Sequence, residues 1–436
     1  MLALALALSA PDAGQLAFPG AEGAGRFALG GRGGQVLFVT NLEDGGPGSL
    51  RAAVEAKGPR TILFRVSGTI KLAKPLVIRE GRVTIAGQSA PGDGITLRDH
   101  RLEVAADDVV IRYIRSRLGD ESKTESDAVW IDRGRRIILD HVSASWSVDE
   151  TLSASARYTD PEQGFYDLTV QWSIISESLT HSLHAKGEHG YGSLIRGGRG
   201  SRISFHHNLW ANHSARMPRP GNYDGPDVDP LGPVFDFRSN VFYNWGGDRS
   251  GYNADKATLA RYNFVDNAYV AGPQSGRPIA FNESNMLAKA YFAGNSMNGA
   301  IPADPWSLVT GVSPEGYRLA APVDVAPVAP DPAASAYERV LTSAGASKTR
   351  DPVDARVVAG VRSRTGIQID SQRDLGGWPE LKSAPPPRDT DNDGMPDIWE
   401  HKHGLDPKIA DGNGDIDRDG FTNIEQWLAD AAEGRG

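Results

Sequence analysis

The sequence predicts an all-β solenoid, and three observations lead to this fold class. Short β-prone segments of similar pattern, such as LDHVSAS, VQWSIIS and FHHNLWA, recur at intervals of 27 to 35 residues. No strongly helical segment separates them, and 50 glycines with 28 prolines supply the turns that short strands need. Because one repeat of this length cannot bury its apolar face alone, the repeats are expected to stack strand on strand.

Four repeats carry asparagine at the matching position, namely Asn208, Asn240, Asn267 and Asn295. Asparagine tolerates the left-handed backbone of a tight turn, and its amide can bond along a stack of identical residues. We therefore expect an internal asparagine ladder. The alternative is that asparagine is simply a common turn residue, but apolar neighbours such as Leu209 and Val241 favour the ladder.

Length and composition suggest one large domain with an appendage, since 436 residues exceed an ordinary single core. The absence of cysteine excludes a disulfide framework, a thiol nucleophile and a cysteine-ligated zinc site. Residues 1–14 form an apolar run that ends in small residues, which we interpret as a signal-peptide remnant of a secreted, periplasmic or cell-surface protein. The alternative is a cytoplasmic chain with an apolar N-terminus. No later segment reaches the roughly 20 apolar residues that span a bilayer.

The net charge of −9 is unevenly distributed. Between Ser178 and Pro220 the only acidic residue is Glu188, against one lysine and five arginines. Such a local basic face suits a polyanion, and the planar fork of arginine can bind a carboxylate with two hydrogen bonds. Arg216 and Arg219, each followed closely by proline, are favoured for this role. For Arg196, Arg199 and Arg202 a solvated turn explains the charge equally well.

A second cluster consists of carboxylates upstream, in the segments SDAVWID and WSVDETLS. Because stacked strands lie only about 4.8 Å apart, Asp127 and Asp149 on successive rungs are placed to share a calcium ion. The alternative is that these carboxylates cap turns or form surface ion pairs.

Taken in order, the motifs resemble those of the pectate lyases, a superfamily of polysaccharide lyases with a right-handed parallel β-helix. The resemblance covers most of residues 15 to 380. It rests on the motifs FPGAEGAGRFALGGRGG, VSGTI, LDHVSASWSVDE, HHNLW, RMPR and GGWP. It implies a secreted, monomeric enzyme that cleaves polygalacturonate, an acidic plant polysaccharide, by calcium-assisted β-elimination. It also implies no nucleic-acid partner and no membrane span.

The resemblance assigns the catalytic base to Arg216. It builds the calcium site from Asp127 and from two acids spaced i and i+4 on the next rung. Asp149 matches the first of these acids, but Ser153 stands at the second position, so Glu150 or water is expected to replace it.

The substrate lysine of better-known relatives aligns with Tyr191, with Lys186 and His189 nearby. Where those relatives carry a second arginine this chain has Gly221, which leaves Arg219 as its substitute.

A guanidinium is a demanding base, because its pKa is ordinarily about 12.5 or above. Calcium and Arg219 close to Arg216 would disfavour its charged form. Alternatively, Arg216 only stabilises negative charge, while water or His189 moves the proton.

Six of the ten histidines fall between His181 and His213. A transition-metal site is disfavoured, because His206 and His207 are adjacent on a strand and should point to opposite faces. Some of these histidines are expected to bond into the ladder, and His181, His189 and His213 to line the substrate groove.

The remaining chain divides into two parts after a β-helix over residues 15–320. Residues 321–385 read as a proline-rich connector with short helices that pack on the β-helix, the second capped by Asp351 with Pro352 at its first position. Residues 386–436 resemble EF-hand-like and thrombospondin type 3-like calcium-binding repeats. The predicted ligands follow the EF-hand spacing in a first loop (Asp389, Asp391, Asp393, Asp397 and Glu400) and a degenerate form of it in a second (Asp411, Asn413, Asp415, Asp417 and Asp419).

Two other functions fit a β-helix. A glycoside hydrolase of the polygalacturonase type needs opposed carboxylates in the cleft, and the pair Asp107 and Asp108 lies away from the basic rung. A non-catalytic polysaccharide-binding solenoid is the other possibility, because Ser153 replaces one of the three acids expected at the catalytic calcium site.

Overall fold

The computed structural model describes residues 14–158, 163–312 and 314–435. The signal peptide predicted for residues 1–14 therefore lies almost entirely outside the described residues. The chain folds as a parallel β-helix, which confirms the predicted fold class. No helix in these ranges is both long and apolar enough to cross a membrane.

Three parallel faces form the β-helix. The first face contains the strands Gln35–Val39, Arg60–Phe64, Val83–Ala86, Val109–Arg112, Val129–Asp140, Phe165–Gln171, Arg202–His206, Val234–Arg238, Ala260–Val265 and Ala288–Ala293. The second face contains Gly68–Lys71, Ile95–Arg98, Ile114–Arg117, Ser143–Ser145, Ile174–Ser176, Leu209–His213, Val241–Trp245, Ala268–Val270 and Ser296–Met297. The third face contains Leu76–Ile78, Leu102–Ala105, the start of Val129–Asp140, Leu152–Ser155, Leu194–Gly197 and Arg219–Asn222, and continues in Gly251–Asn253, Phe281–Glu283 and Val309–Gly311.

The predicted asparagine ladder is confirmed at the turn between the first two faces. The side-chain amide nitrogen of Asn208 lies 3.1 Å from the side-chain oxygen of Asn240, and the same contact links Asn240 to Asn267 at 3.0 Å and Asn267 to Asn295 at 2.9 Å. All four side chains are buried. Each oxygen also accepts from a backbone N–H on the neighbouring rung, so the ladder satisfies turn groups that the interior would otherwise leave unpaired.

Aromatic side chains fill the interior in stacks that run along the helix axis. Phe237 and Phe264 stack with ring centroids 5.0 Å apart, and Phe264 stacks on Phe292 at 4.6 Å. Like residues meet because parallel pairing in register places them one above the other, for example Phe237 against Phe264.

The helices lie outside this core, over Leu50–Glu55, Pro314–Tyr317, Ala333–Ser343, Pro352–Ser363, Asp397–His403 and Asn423–Ala432. Short 3₁₀ turns lie at Gly87–Ser89, Pro305–Leu308, Ser347–Thr349 and Gln372–Leu375. The helix Pro352–Ser363 begins after Asp351, whose carboxylate accepts from the backbone N–H of Asp354, as the sequence predicts. With Ala333–Ser343 it covers the outer side of the second face through Val340, Leu341 and Val357.

His213 is part of the core and does not line a groove, contrary to the prediction. Its Nε2 lies 2.9 Å from the carbonyl oxygen of Ile175, and its Nδ1 lies 2.7 Å from the Ser178 hydroxyl. The side chain is fully buried because position 213 ends a strand whose inward residues fill the interior. His206 and His207 are buried as well, with their Nδ1 atoms 2.9 Å apart.

These histidines predict that the protein loses stability in mild acid. Burial lowers the pKa of His207 and of His213 to about 4, whereas the usual value is 6.5. Protons therefore bind the unfolded chain first as pH falls below 6.5, and the free energy of unfolding drops until pH reaches about 4, by about 3 kcal/mol per histidine. We expect His213→Gln to make the free energy of unfolding less dependent on pH, by the equivalent of one proton. The measurement is the urea midpoint of unfolding between pH 7 and 4.5. The exposed His401→Gln is the control, and an unchanged slope in His213→Gln would contradict the assignment.

Candidate active site

The candidate site is a column of turn residues that border the third face on successive rungs. The carbonyl oxygen of Ser126 accepts from the backbone N–H groups of Val148 and Asp149. Isolated parallel bridges then join Glu150 to Tyr191 and Tyr191 to Ala215. Stacking of the β-helix rungs thus brings Asp127, Asp149, Tyr191 and Arg216 to one edge, although about 90 positions separate the first from the last.

Three carboxylates meet at this edge. Asp127, Asp149 and Glu150 each contribute an oxygen, and these oxygens all lie within 4.8 Å of one another. Burial and the charge of Asp149 raise the pKa of Asp127 well above its usual range. Crowded carboxylates of this kind fit a hard divalent cation, which binds oxygen ligands and offsets their mutual repulsion.

Ser153 stands where the resemblance calls for a third acid, and it is buried beside this cluster. Its hydroxyl bonds to the carboxylate of Asp127. The backbone N–H of Glu150 also donates to Asp127, at 3.1 Å. Glu150 therefore supplies the third carboxylate of the cluster, and Ser153 orients the first.

Arg216 lies on the next rung with a left-handed backbone, at a φ of 60°. Its guanidinium contacts the carboxylate of Glu150 and lies 4.2 Å from the centre of the Tyr191 ring. The side chain is only 14% exposed. Burial lowers the pKa of Arg216 and the charge of Arg219 acts in the same direction, while the Tyr252 hydroxyl opposes them.

Two histidines flank Asp149, at 3.6 Å for His184 and 2.6 Å for His189. The Nε2 atom of His189 lies 2.6 Å from Asp149 Oδ1, and that of His184 lies 3.3 Å from Glu125 Oε1. Burial tends to raise the pKa of Asp149, but the hydrogen bond and charge of His189 outweigh it, and the pKa is lowered. The rings of His184 and His189 stack 3.6 Å apart with a 6° angle between their planes. Since a metal ion binds imidazole in the ring plane, one ion cannot be held by both rings in this arrangement.

Arginines and tyrosines alternate along the surface beyond Arg216. The Arg219 guanidinium lies 5.4 Å from the Tyr252 ring centre and 3.9 Å from Asp255. Arg196 contacts Asp255 and lies 4.3 Å from the centre of the Tyr223 ring. Two exposed arginines pack on the same rings. The guanidinium of Arg157 lies 4.5 Å from the centre of the Tyr223 ring, and that of Arg249 lies 5.0 Å from the centre of the Tyr252 ring. This basic strip can bind several carboxylates spaced along a chain.

The other predicted groove residues lie at the rim. Lys186 is exposed, and its backbone N–H donates to His184 Nδ1. His181 is exposed and bonds Asp370 at 2.9 Å. Arg202 is exposed at the start of a first-face strand, outside the basic strip.

Sequence reasoning missed His184, Tyr252 and Asp255. The repeat period could have predicted the last two. Tyr252 follows Arg216, and Asp255 follows Arg219, by 36 residues, which is about one rung. The backbone N–H of Tyr252 donates to the carbonyl of Pro218, which places Tyr252 directly on the next turn.

The fold and this site define the class: a parallel β-helix protein with a carboxylate cluster and a neighbouring arginine on one edge. No family model matches the sequence. The "Probable pectate lyase C" of Aspergillus terreus is 37% identical over 422 residues, which cover 94% of this chain and 93% of that protein. The protein of the same name from Neosartorya fischeri is 38% identical over 422 residues, with the same coverage. The chain therefore belongs to the pectate lyase family and, with it, to the polysaccharide lyases.

Solved structures agree on the fold. A pectate lyase described with its substrate specificity and anti β-elimination mechanism superposes with a TM-score of 0.51 at 15% identity, over 77% of this chain and 99% of that one. Jun a 1, the major cedar pollen allergen, gives a TM-score of 0.50 at 16% identity, over 74% of this chain and 92% of that one.

Proposed function

We propose that this protein is a secreted enzyme that cleaves polygalacturonate by calcium-assisted β-elimination and releases 4,5-unsaturated oligogalacturonides. The observation that carries the proposal is the position of Arg216, beside three converging carboxylates and at the end of a basic strip. The curated relatives bear the name pectate lyase over nearly the whole chain, which supports the same activity.

The elimination removes the C5 proton of a uronate, forms a double bond between C4 and C5, and expels the glycosidic oxygen at C4, which takes up a proton from water. The negative charge that develops on the uronate carboxylate is the main obstacle, because the C5 proton is only weakly acidic. Asp127, Asp149 and Glu150 would hold the calcium ion, which when bound would neutralise part of this charge. Arg219 and Arg196 would hold carboxylates of neighbouring sugar units in the groove.

Arg216 is the proposed base. Burial lowers its pKa, which makes a neutral guanidine less costly than in water, whereas its position 4.2 Å from the centre of the Tyr191 ring favours the charged form. The contact with Glu150 favours the protonated form instead, so the carboxylate of Glu150 must be drawn to another cation before Arg216 can accept a proton. We propose that Glu150 links metal binding to the availability of Arg216 in this way.

A hydrolase of the polygalacturonase type fits this site poorly. Asp108 is committed to Arg136 at 2.7 Å, and Asp107 accepts the backbone N–H of Arg135 at 2.8 Å. Both residues lie at the first face, away from Arg216.

The decisive assay follows the ultraviolet absorbance of 4,5-unsaturated uronides on polygalacturonate, with and without chelator. A calcium-dependent lyase generates this chromophore, and it stops doing so when chelator removes the calcium. Reducing ends without chromophore would indicate a hydrolase, and neither product would indicate a binding protein; either result overturns the proposal.

The role of Glu150 as third ligand has its own test. We expect Glu150→Gln to raise the calcium concentration for half-maximal activity by about 10–100-fold, since one of three carboxylates is lost. Adding Ser153→Asp to that variant should recover much of the loss, because it returns an acid to the cluster. An unchanged calcium requirement in Glu150→Gln would assign the third ligand to water.

A further inference from the structure

The C-terminal segment contains a second, independent group of carboxylates, in which Asp393 and Glu400 are buried and the others are half-buried. Asp389, Asp391 and Asp393 bring oxygens within 4.8 Å of one another, and Asp393 shares a second such group with Glu400 and Asp411. Glu400 is 0% exposed and Asp393 is 7% exposed. Asp411 comes from the segment after the helix Asp397–His403, so two stretches of chain converge here.

Several oxygens of this group have no hydrogen-bond donor. Both carboxylate oxygens of Glu400, Oδ1 of Asp389 and Oδ2 of Asp391 are buried and accept from no described residue. Burying ionised carboxylates without partners costs several kcal/mol, so such groups are found with a cation or protonated.

The surrounding loop is shaped for a hard cation. Gly394 has a left-handed φ of 104°, and its N–H donates to Asp389 at 3.1 Å, which folds the loop around the carboxylates. Asp397, predicted as a ligand, is not among these groups, and its carboxylate accepts the N–H and hydroxyl of Thr390. Asn413 also lies apart, since its amide donates to the carbonyl of Gly34.

The second loop has the same turn, since Gly420 has a φ of 92° and its N–H donates to Asp415 at 3.0 Å, but it lacks the buried acids. Asp415, Asp417 and Asp419 form a similar group, but all three are exposed. Gln426 occupies the position equivalent to Glu400, and Glu425 pairs with Arg32 at 2.9 Å. The second loop thus has no buried acid to close it.

The first loop presses against the start of the β-helix. Arg65, which follows a first-face strand, donates to Asp389 at 3.2 Å and to Asn392 at 2.9 Å. Beneath the loop, Met395 and Trp399 pack with Leu63 and Ala86 of the first face. A Cβ on Gly394 would lie 2.7 Å from Leu63, which shows how closely loop and strand approach.

We propose that the group formed by Asp389, Asp391, Asp393, Glu400 and Asp411 binds calcium and fastens the C-terminal segment onto the first rungs of the β-helix. The site acts on stability and is separate from the carboxylates beside Arg216. The exposed second loop contributes no comparable binding.

The test uses Asp149→Asn full-length protein, in which the cluster beside Arg216 is weakened. Titration with calcium chloride in a calorimeter should still show tight binding, and calcium should raise the melting temperature by at least about 3 °C. Adding Glu400→Gln should abolish both effects. The matched control Asp417→Asn, in the second loop, should retain them.

Glu400→Gln also makes a prediction that misfolding cannot imitate. Without calcium this variant should be as stable as its parent or more so, because it removes a buried repelling charge. With calcium it should be the less stable of the two. A calcium-induced rise in melting temperature that survives Glu400→Gln, or an absence of tight binding in Asp149→Asn, overturns the proposal without bearing on the lyase activity.

Discussion

Replacing Arg216 by lysine is expected to lower lyase turnover on polygalacturonate by about 10²–10³-fold or more while the protein stays folded. Lysine keeps the positive charge but loses the planar fork that contacts Glu150 and packs on the Tyr191 ring. Its ammonium also cannot occupy the same place, because the side chain is shorter. The measurement is the initial rate of chromophore formation at saturating calcium, with the melting temperature as a check on folding.

Arg202→Lys serves as the matched control, because Arg202 is exposed outside the basic strip. It should keep the parent rate. Full activity in Arg216→Lys would remove Arg216 from the mechanism and leave water or His189 to move the proton. A variant that binds the polymer normally but does not turn it over would place the loss in the chemical step.

Replacing Asn240 by alanine is expected to destabilise the protein by about 3–5 kcal/mol, a large effect for one side chain. Asn240 accepts the backbone N–H of Asn208 and donates to the carbonyl of Phe205 and to Asn267. Alanine leaves these groups buried without partners. The measurement is the free energy of unfolding in urea at pH 7 and constant calcium.

Asn282→Ala is the comparison, because the amide of Asn282 also bonds across rungs, to Thr310, but the residue is only half-buried. Its loss should be about 1 kcal/mol or less. An equal effect at both positions would show that the ladder contributes no more than surface cross-strand pairs.

The predicted and observed sites differ in an instructive way. Rung stacking predicted that Asp127 and Asp149 meet, and the family resemblance added Arg216 to their site. The stacked rungs bring these residues to one edge. Glu150 was only an alternative to water in the sequence, yet it meets both the carboxylates and Arg216. His213 looked like a groove residue and is buried, since its ring bonds to the Ile175 carbonyl and the Ser178 hydroxyl in the core.

The C-terminal segment also shows what residue spacing cannot predict. The EF-hand spacing of Asp389, Asp391 and Asp393 is local, and the loop closes around these residues. Asp411 belonged to a second loop by spacing but lies beside Glu400 of the first. Spacing does not report how two segments fold back on each other.

The sequence alone determined the stacked β-solenoid and its asparagine ladder, because both follow from a repeat whose period aligns like residues on neighbouring rungs. It also indicated which residue types gather at the edge near Arg216. Only the tertiary structure decided which carboxylates converge, which histidines are buried and how the tail meets the first rungs. These depend on side-chain direction and on contacts between segments far apart in the chain, and no local pattern of residues encodes them.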